Sequence, residues 1–349
     1  KTSRRDLSPL IDVVKVWKRE KCSDNHSFLP SLTKMHACKL CGRMVSVVLR
    51  SNRASLPRLN VVLNSTSRKT SVRYYNSTAY TSSESVTESG TKQKKTSINP
   101  EEVKKFNALA SKWWDTKGEL KGLHSMNRLR VPLIRDTLMK QHRVSRKSRP
   151  LEGLRILDVG CGGGILSVPL AKLGAQVTGL DASEEAVKAA TAHMAHDPSL
   201  KDTLTFTHGT VEDLVASEVR DYYDALVASE VIEHVDALDD FVGSSCDLVK
   251  PRGSLFFSTI NRTNQSYYLA VIAAEYIVGV VPRGTHNWNK FVSPEELKDE
   301  LRANNCHPRL IHGMFYNPFL NHWNWTGSTE MNYALHAIKD ASEADLKKD

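Results

Sequence analysis

Arg155-Ile-Leu-Asp-Val-Gly-Cys-Gly-Gly-Gly-Ile165 is the stretch on which the fold turns. Arg155–Val159 reads as a buried strand, and the glycines after it mark a tight turn that opens a helix running to Leu173. Downstream the unit repeats. Gln176–Leu180 is a second strand ending at Asp181, followed by a helix over Glu184–His196. Thr203–His208, Tyr223–Ala228 and Ser254–Ile260 are the third, fourth and fifth strands, with a helix over Ala237–Val249 before the last. Ser293-Pro-Glu-Glu296 opens another helix with a capping-box pattern, and segments near Pro308–Tyr316 and Met331–Ile338 close the sheet. Upstream, Asn99 caps a helix with Pro100 at its first position, and Val103, Phe106, Ala110 and Trp113 form its apolar stripe. A second helix covers Asn127–Lys140. Strand alternating with helix predicts an α/β fold: a doubly wound, mostly parallel, seven-stranded Rossmann-like sheet preceded by helices.

In such sheets a ligand lies beyond the carboxyl ends of the strands, where glycines let the backbone approach it closely. A dinucleotide fingerprint starting at Gly160 needs Gly or Ala at position 165, which is Ile, and no phosphate-loop G-x-x-x-x-G-K-[ST] occurs. The pattern Asp158-x-Gly160-x-Gly162-x-Gly164 instead resembles that of methyltransferases using S-adenosylmethionine. Asp181, 21 residues after Gly160, is placed to accept hydrogen bonds from both ribose hydroxyls of that molecule. Asp158 is placed to orient the glycine loop and the ammonium of the methionine end. Glu212-Asp213 follows the third strand, where adenine is contacted, and equally suits a helix start.

Further segments carry a more specific resemblance. They are Leu123-His-Ser-Met-Asn127 with Leu129-Arg130, Ser229-Glu-Val-Ile-Glu-His234, Lys250-Pro-Arg-Gly253, Ser258-Thr-Ile-Asn261, Pro282-Arg-Gly-Thr-His286 and Met314-Phe-Tyr-Asn-Pro318. From Glu102 to Ile338 the chain resembles the ubiquinone-biosynthesis O-methyltransferase family, built on the class I methyltransferase fold with an insertion after strand five. The departure is Arg252, where Pro-Gly-Gly is usual. The resemblance implies methylation of catechol-type hydroxyls on 3,4-dihydroxy-5-polyprenylbenzoate and demethylubiquinol, two steps of one pathway. It implies cofactor contacts at Arg130, Gly160, Asp181 and Ser229, with Gly162 in the same bend, and substrate contacts at His286, Tyr316 and Asn317. It also implies a divalent metal, Mg²⁺, at Glu230, Glu233 and His234, peripheral attachment to the matrix side of the mitochondrial inner membrane, and a complex with other ubiquinone-biosynthesis proteins.

The chemistry leaves the acidic-histidine segment open. Methyl transfer from a sulfonium is an in-line displacement, and the attacking catechol oxygen must lose its proton. If a helix begins after strand four, Glu230, Glu233 and His234 share a face and converge on one ion that acts as Lewis acid. Two carboxylates suit Mg²⁺, whereas imidazole suits zinc or iron better. Alternatively His234 is the general base, assisted by Glu230, or the segment is structural.

Composition frames the rest. Of 349 residues, 40% are hydrophobic, and no run of about 18 apolar residues is present to cross a bilayer. Six cysteines without a dense framework exclude a disulfide-stapled module. Residues 1–100 carry 19 Lys and Arg against 6 Asp and Glu, so residues 101–349 hold 29 against 33 and are net acidic. From Asn25 to Ser83 no acid occurs among many Arg and Ser, the pattern of a mitochondrial transit peptide. Met35 and Met44 are candidate starts, Arg73-Tyr74-Tyr75 resembles a processing site, and a basic tail binding RNA or lipid is the other reading. Cys38 and Cys41, near Cys22, His26 and His36, have zinc-ligand spacing but no second pair. The expected organisation is a leader over 1–96, a methyltransferase domain over 97–340 and a disordered tail over 341–349. Within the domain, 262–290 is the insertion, and its apolar Tyr267–Val281 is too short to span a membrane and suits an interfacial lid. The rivals are another mitochondrial small-molecule methyltransferase, an RNA methyltransferase and a cofactor-binding subunit without turnover. The acidic folded part argues against nucleic acid.

Overall fold

In the computed structural model of the protein, residues 96–144, 148–267 and 288–341 are described. The expected leader up to residue 95, the cysteines at 22, 38 and 41, His286, most of the insertion and residues 342–349 lie outside them.

The strands are β1 (Arg155–Val159), β2 (Gln176–Asp181), β3 (Leu204–His208), β4 (Tyr223–Ser229), β5 (Val249–Ile260), β6 (Cys306–Asn317), β7 (His322–Thr326) and β8 (Asn332–Lys339). They form one sheet in the order β3-β2-β1-β4-β5-β8-β6-β7. The first five are parallel, and β8, β6 and β7 pair antiparallel. The sequence pattern predicts seven strands; the eighth is β7. His322-Trp-Asn-Trp-Thr326 is a short edge strand that buries only Trp323, so it lacks the apolar run that marks an interior strand.

The helices are α1 (Pro100–Ala108), α2 (Lys121–Gln141), α3 (Ser167–Lys172), α4 (Glu184–Met194), α5 (Val211–Ala216), α6 (Leu238–Leu248) and α7 (Pro294–Ala303). Side chains alternate across β1, so Leu157 and Val159 pack with Phe241, Val242, Leu297 and Leu301 on one face. Ile156 packs with Ile134, Leu138 and Leu170 on the other. Arg252, the departure from Pro-Gly-Gly, has φ +63°, a left-handed conformation that glycine adopts without strain.

The chain leaves β1 towards β2 and β3 on one side, and β4 and β5 lie on the other. The carboxyl ends of β1 and β4 therefore flank the topological switch point, where ligands of such sheets bind. Asp158, Asp181 and Ser229 stand at the ends of β1, β2 and β4.

Candidate active site

Beyond β1 the backbone takes φ +63° at Gly160 and +54° at Gly162. A Cβ would stand 2.5 Å from the Val231 side chain at Gly160 and 2.3 Å from the Trp113 ring at Gly162. Conformation and space both demand glycine there. Asp181 holds this bend: its Oδ2 accepts from Gly162 N–H at 2.7 Å and its Oδ1 from Ser183 N–H at 2.8 Å. Burial raises the Asp181 pKa, against the pull of those two N–H groups.

Below the bend Asp158 is buried and accepts from Ser167 Oγ at 2.5 Å. Burial pushes its carboxyl up to about 6, while Ser167 and the Arg130 charge pull it down. Arg130 arrives from α2 and is itself buried, which lowers its pKa to about 10. Its Nε donates to Asn127 Oδ1 at 2.6 Å, Nη2 to Leu123 O at 3.3 Å and Nη1 to Ser229 Oγ at 3.0 Å. Ser229 Oγ meets Ser258 Oγ at 2.7 Å, and Ser258 donates to Glu230 Oε1 at 2.8 Å. The network thus links Arg130 to Glu230.

The acidic-histidine segment is not an α-helix. Ile232–His234 is a single 3₁₀ turn, and Glu230 sits at φ +59°. The three side chains go to separate partners: Glu230 to Ser258, Glu233 to Thr259 Oγ1 at 2.7 Å, and His234 Nδ1 to Glu102 Oε2 at 2.9 Å. The expected shared helical face is therefore absent. Among the described residues no three His, Cys, Asp or Glu are gathered as a metal site requires. Held by these partners, Glu230, Glu233 and His234 are not gathered on one ion. Burial, and then the neighbouring Glu233 charge, pushes Glu230 up to about 8, and burial raises Glu233 as well. For His234 burial acts downward, but the Glu102 hydrogen bond and the charges of Glu233, Glu102 and Glu230 leave its pKa raised. The same hydrogen bond holds Glu102 down at about 2.

Glu102 lies on α1, which is strapped over the site. Ile98 bridges Val235, Asp236 N–H donates to Ser97 O at 2.8 Å, and Asn99 Nδ2 donates to Asp236 Oδ1 at 3.0 Å. Arg130, Asp158, Gly160, Asp181, Ser229, Glu230 and His234 all line one cavity of about 140 Å³, walled by Ile98, Glu102, Phe106 and Trp113. Gly162 and Glu233 are not among its lining residues. Tyr316 and Asn317 do not line it. The Tyr316 hydroxyl donates to Asn321 Oδ1 at 3.0 Å, and Asn317 Oδ1 accepts from Phe319 N–H and Leu320 N–H, so both serve the β6–β7 hairpin.

Two residues, Glu102 and Trp113, extend the set read from sequence, and Glu212 joins them at the cavity. Glu102 is 132 positions from His234, a separation that leaves no local signal. Trp113 Nε1 and Glu212 Oε2, both on cavity-lining residues, are buried without a hydrogen-bond partner. An unpaired donor and an unpaired acceptor in one wall fit a ligand that is polar at several points, as S-adenosylmethionine is. Asp213 forms a capping box with Thr210, and Glu212, in the same first helical turn, lines the cavity while its Oε1 accepts from Ser97 N–H.

A family model described as a methyltransferase domain matches residues 130–309. The ubiquinone biosynthesis O-methyltransferase, mitochondrial, of Bos taurus is 46% identical over 71% of this chain and 66% of its own length. That of Homo sapiens is 44% identical over 70% and 66%. The ubiquinone biosynthesis O-methyltransferase of Pelagibacter ubique is 36% identical over 70% of this chain and 99% of its own. The chain thus spans about two thirds of the length of the mammalian relatives and nearly all of the bacterial one.

Proposed function

The chain belongs to the ubiquinone biosynthesis O-methyltransferase family, and on that premise we propose that it methylates catechol-type hydroxyls of polyprenylated phenols. The two acceptors are 3,4-dihydroxy-5-polyprenylbenzoate and demethylubiquinol. The observation that carries this is the gathering of Arg130, Asp158, Asp181 and His234, from four separate stretches of chain, around one cavity at the glycine bend. S-adenosylmethionine, when bound, supplies the methyl group. Asp181 keeps acceptor capacity for ribose hydroxyls beyond the two N–H groups it already holds. Asp158 and Arg130 offer opposite charges to the ammonium and carboxylate of the amino-acid end.

His234 is the proposed base. With Nδ1 donating to Glu102, Nε2 is its basic atom, and the raised pKa makes it a better proton acceptor from a catechol hydroxyl. Glu230, pushed up to about 8, keeps its proton at neutral pH and would assist by donating a hydrogen bond to the neighbouring catechol oxygen, with no proton transferred. We also retain Mg²⁺ uptake by Glu230, Glu233 and His234 as a proposal. It rests on the donor types alone, and loading would require Ser258, Thr259 and Glu102 to release them.

We place the protein in the mitochondrion, attached peripherally to the matrix side of the inner membrane with other proteins of the pathway. The mitochondrial relatives and the acid-free segment Asn25–Ser83 support the compartment. The lipid tail of the acceptor supports the membrane. Among the described residues no helix is long and apolar enough to cross one.

The test is methyl transfer to a short-chain dihydroxy-polyprenylbenzoate, with titration calorimetry of S-adenosylmethionine alongside. Asp181→Asn should weaken that binding roughly tenfold or more, through loss of a charge-assisted hydrogen-bond acceptor. Unchanged affinity, or no methyl transfer by the wild type, rejects the assignment. A chelator arm decides the metal.

A further inference from the structure

Strand register carries an exposed apolar tip to the working edge of the sheet. Ile260, the last residue of β5, is level with Asn332 on β8, and Asn332 is level with Met314 on β6. Since β5 and β6 both run antiparallel to β8, they share a direction, and β6 continues past Met314 to Asn317. The turn 318–321 therefore projects beyond the edge at which β1, β2 and β4 end and the cavity opens. On it Phe319 is 87% exposed and Leu320 74%. The turn is braced from within, because Asn317 Oδ1 caps both N–H groups and Asn321 Oδ1 accepts from Ser125 and Tyr316. Two adjacent large apolar side chains held bare on a braced turn do nothing for the fold and mark a contact surface.

Charge identifies the occupant. The 24 residues Cys306–Thr329 contain no Asp or Glu, although residues 101–349 as a whole hold 33 acids against 29 bases. At the hairpin base the exposed Arg128 brings Nη1 to 3.4 Å from His322 Nδ1. An apolar tip with Arg128 at its base and no acid on its own two strands suits the interface of an anionic bilayer, where a carboxylate would be both repelled and costly to desolvate.

We propose that Phe319 and Leu320 are a membrane anchor that inserts into an anionic phospholipid surface and holds the cavity edge of the sheet against it. The choice of bilayer rests on the proposed function, since a polyprenylated acceptor resides there and the edge that receives it must face it.

Flotation of the full chain with phosphatidylcholine–cardiolipin vesicles tests it. The wild type should bind these vesicles, and bind vesicles of phosphatidylcholine alone more weakly. The double variant F319S/L320S should bind them at least roughly tenfold less, given the apolar area withdrawn. Its S-adenosylmethionine affinity and its turnover of a short-chain water-soluble acceptor should equal the wild type's, which also shows that it folds. A Phe319→Trp variant should show a blue-shifted emission from position 319 on vesicle addition. Undiminished binding by the double variant, absence of wild-type binding, or an unshifted emission overturns the anchor. Loss of turnover on the water-soluble acceptor by the wild type would instead overturn the proposed function.

Discussion

At the scale of single residues the contact between His234 and Glu102 controls most of the proposed chemistry. One 2.9 Å hydrogen bond lets His234 hold the Glu102 carboxyl down at about 2, and lets Glu102 raise the pKa of His234 against the effect of burial. A group raised in the folded state stabilises it below its unfolded value, near 6.5 for His, and loses that contribution as pH climbs through the folded value. A depressed carboxyl stabilises above its unfolded value of 4.5 and loses that as pH falls towards 2. The pair therefore contributes most between about 4.5 and 6.5. Glu102→Gln should lower stability relative to wild type chiefly in that window, as chemical denaturation at several pH values would show. The same change frees His234 to give up its proton at lower pH, so the acidic limb of the kcat/KM profile should move downward. An unmoved limb would remove His234 as the base. Sequence pattern reaches only part of this. Asp158, Gly160 and Asp181 are legible because strand ends and a glycine turn are local signals, whereas the Glu102 contact is made by tertiary packing alone.

Among the elements, α1 has the largest consequence for its size. It buries no residue of its own and is held by the Asn99 cap, whose Oδ1 accepts from Glu101 and Glu102 N–H, and by the Asn99–Asp236 bond. Losing such a cap costs about 1 kcal/mol, and here the loss falls on the wall that carries Glu102 and Phe106. Asn99→Ala should accelerate S-adenosylmethionine release several-fold in stopped-flow chase, on the scale of that cap energy. Equal release rates would mean that α1 does not retain the cofactor. The cap was legible as Asn-Pro-Glu-Glu, but what α1 covers was not. The opposite failure occurs after β4. Helical spacing put Glu230, Glu233 and His234 on one face, but the chain makes a 3₁₀ turn there and α6 starts only at Leu238. A left-handed Glu230 places the three side chains by backbone geometry that residue spacing does not encode.

For the molecule as a whole, the cavity is where distant parts of the chain depend on one another. Its wall is drawn from α1 and the segment before it, from α2, from the ends of β1, β2 and β4, and from the start of α5. The alternating pattern was enough to predict this doubly wound sheet, since each strand and helix is specified by its own periodicity. It could not show that α1 closes the site. A ligand touching all these parts links their unfolding, because opening any one of them forfeits the binding energy. S-adenosylmethionine at 100 times its Kd should stabilise the protein by about 2.7 kcal/mol. For a domain of this size that corresponds to a rise in Tm of roughly 5–10 °C. Calorimetry should show a single transition moving upward as a unit, and Asp181→Asn should lose most of the rise at the same ligand concentration. If α1 were an independent flap, the emission of a dye attached at exposed position 104 of α1 would report a transition below the main one and untouched by ligand. Coincidence of that emission with the calorimetric transition, both moving together, is the result expected of a site completed by its own amino-terminal strap.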